Sequence, residues 1–281
     1  MYQVGIIGSG TMGAGIAQVF IEHGYKVVLN DINENFVEKG IQSISNSLNK
    51  SVSKNKINEA DKVRMLSNLE GSTDLSMLKE CLLVIEAVIE DINIKKQLFK
   101  NLDDICNPEC ILATNTSSLS ITEISFATKR PDKVIGMHFF NPAYFMALVE
   151  VIQGVATSID TFDRTVQIVN LIGKVSVKVQ EAPGFIVNRL LIPMINEAIA
   201  IYAEGIADVK DIDTAMKNGA NHPIGPLALA DLIGMDVVLA IMETLHNEFG
   251  EDKYRPHQLL KKMVRGGVLG KKTGLGFYQY E

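Results

Sequence analysis

This 281-residue chain has no surplus of basic charge: 27 Lys and Arg stand against 33 Asp and Glu, a formal net charge of −6. A general field for nucleic acid is therefore missing, although local basic clusters can still hold phosphate groups. Cysteine is scarce and odd in number. Cys81, Cys106 and Cys110 form no C-x-x-C and have no His-rich neighbourhood, so no disulfide framework and no metal site are expected, and the compartment is expected to be a reducing cytoplasm. A signal peptide finds no room before the first predicted strand, which leaves export unexpected. Long unbroken apolar runs are lacking too. The most membrane-like stretch, 224–242, carries Pro226, Asp231 and Asp236 and reads as a buried helix of a soluble domain rather than a membrane span. Internal repeats and low-complexity tracts are absent. The length suits one large or two modest domains with ample chain to bury a core, and two are expected.

What is present is concentrated at the start. QVGIIGSGTMGAGIAQVFIEHGYKVVLND reads as strand, glycine turn, helix, second strand and acidic end, a βαβ unit that binds a dinucleotide. Gly8 permits the tight turn, Gly10 lets backbone approach a pyrophosphate, Gly13 brings helix close to sheet, and the helix N-terminus faces the phosphates. Asp31 ends the second strand. Its carboxylate suits the ribose hydroxyls and repels a 2′-phosphate, and neither Ile32 nor Asn33 supplies a cation to rescue one, so NAD is expected over NADP.

After Asp31 an amphipathic run, 34–52, passes into a second helical run, 53–69, through a junction rich in lysine and asparagine. Alternation then resumes. Strands are predicted over 82–88, 111–117 and 134–140 with a helix over about 95–103, followed by strands in VEVIQG and VSVKVQ around a helix near 160–172. EAPGF punctuates the change. Beyond it, helical patterning covers 185–204, 208–218, 226–249 and 256–265, with a glycine-rich tail. The predicted class is α/β: a doubly wound, Rossmann-type sheet domain over 1–183 with a helical-pair insertion, then a smaller all-α domain over 184–281. A substrate is expected in the crevice between them.

His138 and Glu150 form the leading catalytic pair. Two strands joined by a turn about Tyr144 put them opposite each other, where the carboxylate can orient one imidazole nitrogen and leave the other to exchange a proton with substrate. The plain alternative is a hydrogen-bonded core histidine and an exposed charge. ILATNTSSLSI ends in a polar burst, which suits the carboxyl end of a strand at a ligand crevice and makes Ser117 a candidate hydroxyl contact; a helix cap at Ser118 or Ser120 explains part of the same burst. Asn188 lies on an apolar helix. It can bond a substrate oxygen or simply face water.

Taken together, GSGTMGAGIAQVF, VIEAVIED, ATNTSSLSITEI, PDKVIGMHFFNP, LVEV, EAPGFIVNRLLIPMINEA, DIDTAMKNGANHPIGPLALAD and GKKTGLGFYQY span nearly the whole chain. They resemble the L-3-hydroxyacyl-CoA dehydrogenase family, and within it the short bacterial members. The resemblance implies reversible, NAD-dependent oxidation of an (S)-3-hydroxyacyl-CoA, here (S)-3-hydroxybutyryl-CoA, to the 3-oxoacyl-CoA. It makes His138 the general base, Glu150 its orienter, and Ser117 and Asn188 the contacts of the reacting oxygens. It places cofactor contacts on the glycine turn (Gly8, Gly10, Thr11, Met12, Gly13), Asp31, Glu90, Lys95, Asn141 and Lys272. It gives the helical pair a use in clamping CoA, with Ser47, Lys50, Lys54 and Lys56 as contacts; a solvated charge run is the alternative.

The chain departs from the family at one place. Tyr144, Phe145, Met146 and Ala147 stand where the family usually has proline, a small aliphatic residue, Met and Lys, and the two aromatics and lost charge are expected to reshape the acyl pocket or alter its affinity. Two further readings keep the fold: a dehydrogenase of a free 3-hydroxy acid, and a dinucleotide-binding protein without catalysis. The helical domain is expected to form a homodimer, because its apolar faces exceed what one small bundle needs and family members commonly pair through it.

Overall fold

The computed structural model describes residues 3–280, in two compact units, Met1–Ala182 and Pro183–Glu281. The first is built on an eight-stranded sheet of order β3-β2-β1-β4-β5-β6-β7-β8. The strands are β1 (Gln3–Ile7), β2 (Lys26–Asn30), β3 (Leu69–Ser72), β4 (Leu83–Glu86), β5 (Ile111–Thr114), β6 (Val134–Phe139), β7 (Leu148–Gln153) and β8 (Val175–Gln180). All neighbours are parallel except β6 and β7, which a short turn joins antiparallel. Strand order reverses between β1 and β4, so the crevice beyond their carboxyl ends is the natural ligand site of this topology.

Helices α1 (Thr11–Glu22), α2 (Glu34–Ser53), α3 (Glu59–Leu66), α4 (Ile92–Ile105), α5 (Ile121–Ser125) and α6 (Ile159–Leu171) complete this unit. Its core joins Ile6, Leu29, Ile85 and Ala113 on the strands to Ile16 and Phe20 of α1, as the unbroken apolar runs of a doubly covered sheet require. Asn33 and Asn58 cap α2 and α3 through their side chains. The second helix ends sooner than its sequence pattern predicts. Residues 69–72 form β3, an edge strand on β2, whose LEGS lacks the β-branched alternation that announces a strand.

The second unit is helical: α7 (Val187–Ala203), α8 (Val209–Gly219), α9 (Pro226–Ile233), α10 (Met235–Phe249) and α11 (Gln258–Arg265). The single helix expected over 226–249 is two. Gly234, at φ +102°, breaks it, and the apolar pattern runs through the break because Leu227, Ala230, Met235 and Val238 all bury in one core.

Candidate functional site

At the carboxyl end of β1 the glycines do what their positions require. A Cβ on Gly8, whose φ is +95°, would meet the Ala87 carbonyl oxygen at 2.5 Å, and one on Gly13 would overlap the Gly8 carbonyl oxygen at 1.6 Å. Gly10 has nothing within 4 Å. It is the N-cap of α1 and offers no side-chain cap, so the first-turn amides keep their capacity for an anion. Thr11 is exposed and Met12 half-buried beside it. Asp31 lies against the same turn: Oδ2 accepts from the Ser9 amide and hydroxyl, both at 2.7 Å, and Oδ1 from the Ile32 amide at 2.8 Å. The side chain of Asn33 is engaged in capping α2 and Ile32 is 90% exposed, so neither following residue brings positive charge. These residues fit the phosphates and diol of a dinucleotide.

Glu90 follows β4. Its Oε1 accepts from the Thr116 hydroxyl at 2.5 Å and from the Ser117 and Ser118 amides at 2.9 and 3.2 Å. These bonds draw the chain away from sheet pairing, which is why β5 stops at Thr114 rather than at residue 117. Lys95 is 1% exposed, its ammonium paired with Glu86 and 3.3 Å from Glu90 Oε2. Two carboxylates thus take its charge, and it offers no exposed surface for direct contact with a cofactor. Lys272 is in the second unit, in a short turn over Lys271–Thr273, and pairs with Asp236.

His138 and Glu150 face each other across the β6–β7 ladder, as their symmetric spacing predicts. Period two explains their shared face: Met137 and Phe139 on β6, and Val149 and Val151 on β7, turn into the core, leaving His138 and Glu150 on the other side. His138 Nδ1 lies 2.7 Å from Glu150 Oε2. The histidine is 6% and the glutamate 0% exposed, and the Phe140 ring stands tilted 4.5 Å from the imidazole. A buried carboxylate at this distance fixes the tautomer, with the proton on Nδ1. Asn115, which sequence reasoning missed, accepts from the Phe139 amide at 2.9 Å and ties the end of β5 to the strand carrying His138. Nothing sets it apart from its polar neighbours in the sequence. Ser117 is half-buried two residues further on, and Asn188, in the first turn of α7, is half-buried in the second unit.

A cleft of about 480 Å³ opens between α1, α2 and the turn after β6. Ser47 and Lys50 line it, as do Asn141 and Tyr144; Lys54 and Lys56 are exposed at the end of α2 and do not. Lys39, Gln42, Ser43 and Asn46 also line it and had not been singled out, although their helical spacing with Ser47 and Lys50 marks one polar face. The Lys174 ammonium grips the turn from behind, donating to the Ala143 and Met146 carbonyls, both at 2.8 Å, and burial holds it below the usual lysine range.

Residues 3–182 match the model of the 3-hydroxyacyl-CoA dehydrogenase NAD binding domain, and residues 184–280 that of the 3-hydroxyacyl-CoA dehydrogenase C-terminal domain. The chain belongs to the 3-hydroxyacyl-CoA dehydrogenase family. It is 56% identical over 278 residues to a 3-hydroxybutyryl-CoA dehydrogenase of Clostridioides difficile, with 99% of each chain covered. It is 42% identical to a 3-hydroxyadipyl-CoA dehydrogenase of Escherichia coli, covering 99% of this chain and 58% of that one. The crystal structure of (S)-3-hydroxybutyryl-CoA dehydrogenase from Ralstonia eutropha matches with a TM-score of 0.96 at 48% identity, covering 100% of this chain and 99% of that one. As a member of the 3-hydroxyacyl-CoA dehydrogenase family, the chain is an NAD-dependent oxidoreductase. No helix among its described residues is long and apolar enough to cross a membrane.

Proposed function

We propose that this member of the family oxidises (S)-3-hydroxybutyryl-CoA reversibly to acetoacetyl-CoA. The observation that carries the reading is the buried His138–Glu150 pair, 2.7 Å apart in a dinucleotide-binding unit. Bound NAD supplies the acceptor for the hydride that leaves C3. With Nδ1 donating to Glu150, Nε2 of His138 is the nitrogen that takes the 3-hydroxyl proton, and the carboxylate stabilises the imidazolium that results. Ser117 and Asn188 hold the reacting oxygens. Asp31, Glu90, Asn141 and Lys272 serve the cofactor, and Lys95 serves it through Glu90. The cleft beside α2 takes the CoA arm, with Ser47 and the cationic Lys39 and Lys50 on its wall and Lys54 exposed outside it, just past the end of α2; lysines on such a groove favour CoA, with its phosphates, over a free 3-hydroxy acid. The exposed Leu190, Ile206 and Leu232 give the helical unit apolar surface for pairing with a second copy, to be checked by light scattering. Three buried, unbridged cysteines suit a reducing cytoplasm.

His138→Gln should retain NADH binding while kcat falls about a hundredfold or more. A near-normal rate removes His138 as base. Glu150→Gln should lower the rate and change its pH profile, and an unaltered profile removes the orienting role. Acetoacetyl-CoA should oxidise NADH far faster than acetoacetate does; preference for the free acid overturns the CoA assignment.

A further inference from the structure

From the end of β4 two buried charges, Glu86 and Lys95, lead through the exposed Glu90 to the loop that carries Ser117, and the mechanism above makes no use of the first. Glu86 is 0% exposed, and so nearly is its partner Lys95. Removing two charges from water offsets most of what their attraction contributes, so the pair is weak as a source of stability. Its contribution is geometric. Glu86 Oε2 accepts from the Thr114 hydroxyl at 2.7 Å, and Oε1 accepts from the Val88 amide at 2.7 Å and from the Lys95 ammonium. That ammonium is shared with Glu90 Oε2, 3.3 Å away. The other oxygen of Glu90 gathers the loop, taking the Thr116 hydroxyl, the Ser117 amide, and the Ser118 amide and hydroxyl.

We propose that Glu86 is a positioning residue for the reaction: by sharing Lys95 with Glu90 it holds Glu90 where it shapes the 116–118 loop, and so sets the Ser117 hydroxyl. This rests on the reading of Ser117 as a contact of a reacting oxygen. With Glu86 neutralised, the ammonium has one carboxylate left, and the pair closes, drawing Glu90 off the Ser117 and Ser118 amides. Ser117 then loses the ångström-level placement on which its effect depends.

The test is a double-mutant cycle of Glu86→Gln and Ser117→Ala, read as kcat/KM for acetoacetyl-CoA with NADH and accompanied by the melting temperature of each variant. Each single change should lower kcat/KM about tenfold, whereas Glu86→Gln added to Ser117→Ala should cost less than about twofold more. A support of the fold alone lowers the rate equally in both backgrounds. Equal losses, or no loss from Glu86→Gln, overturn the relay; a normal rate for Ser117→Ala overturns the reading of Ser117 beneath it. Glu86→Asp keeps the charge but sets it one methylene back from Lys95, and the same cycle with it decides the matter should Glu86→Gln not fold: its loss should likewise vanish beside Ser117→Ala, and an equal loss, or none, overturns the relay.

Discussion

Tyr144 sets an aromatic ring on the wall of the cleft, where the family usually has proline, and it is 46% exposed. A half-covered ring of this kind contributes about 1 kcal/mol to whatever lies against it, a factor of about five in affinity. Tyr144→Ala should therefore raise KM for acetoacetyl-CoA about fivefold with kcat changed less than about twofold, because binding lost equally from ground and transition states moves KM alone. A fall in kcat with KM unchanged would put the ring at the reacting centre instead. Single residues were legible in the sequence where one rule governs them. The opposition of His138 and Glu150 follows from strand period and turn symmetry alone. Lys95 was not legible in this way, because its burial between Glu86 and Glu90 depends on how α4 packs on the strand ends.

The C-terminal tail is held by two buried carboxylates. Asp231 accepts from the Phe277 and Tyr278 amides and the Tyr280 hydroxyl, while Asp213 accepts from the Tyr278 hydroxyl and the Leu227 and Ala228 amides at the start of α9. Burial first, then the aspartates, push both phenols up, Tyr280 to about 12 and Tyr278 further. The unfolded chain releases these protons near the ordinary value of 10.0, so their contribution is complete below that pH and is lost as pH rises toward 12 and beyond. Chemical denaturation from pH 9 to 12 should show a shallower loss of stability in Tyr278→Phe/Tyr280→Phe than in the parent; identical slopes would exclude the tyrosines as its source. Elements with strong periodicity were legible, α2 and α6 among them. The division of α9 from α10 was not, since a one-residue break leaves the apolar period intact.

The first unit as a whole was legible because its strands alternate with helices from β1 onward, and that alternation admits few topologies. The edge strand β3 escaped for want of apolar residues. A molecule that binds NADH only when folded is stabilised by it: at one hundred times its dissociation constant NADH should add about 2.7 kcal/mol, and NADPH at the same concentration nearly nothing. Equal thermal shifts from the two would remove Asp31 from the choice of cofactor. One antiparallel hairpin in the sheet carries the His138–Glu150 pair on its ladder and the ring of Tyr144 in its loop, with Lys174 bracing that loop from behind. On the roles proposed for these residues, proton transfer and substrate binding occupy separable parts of one hairpin: changes confined to the exposed residues 144–146 should alter affinity for the CoA substrate while His138 stays opposite Glu150.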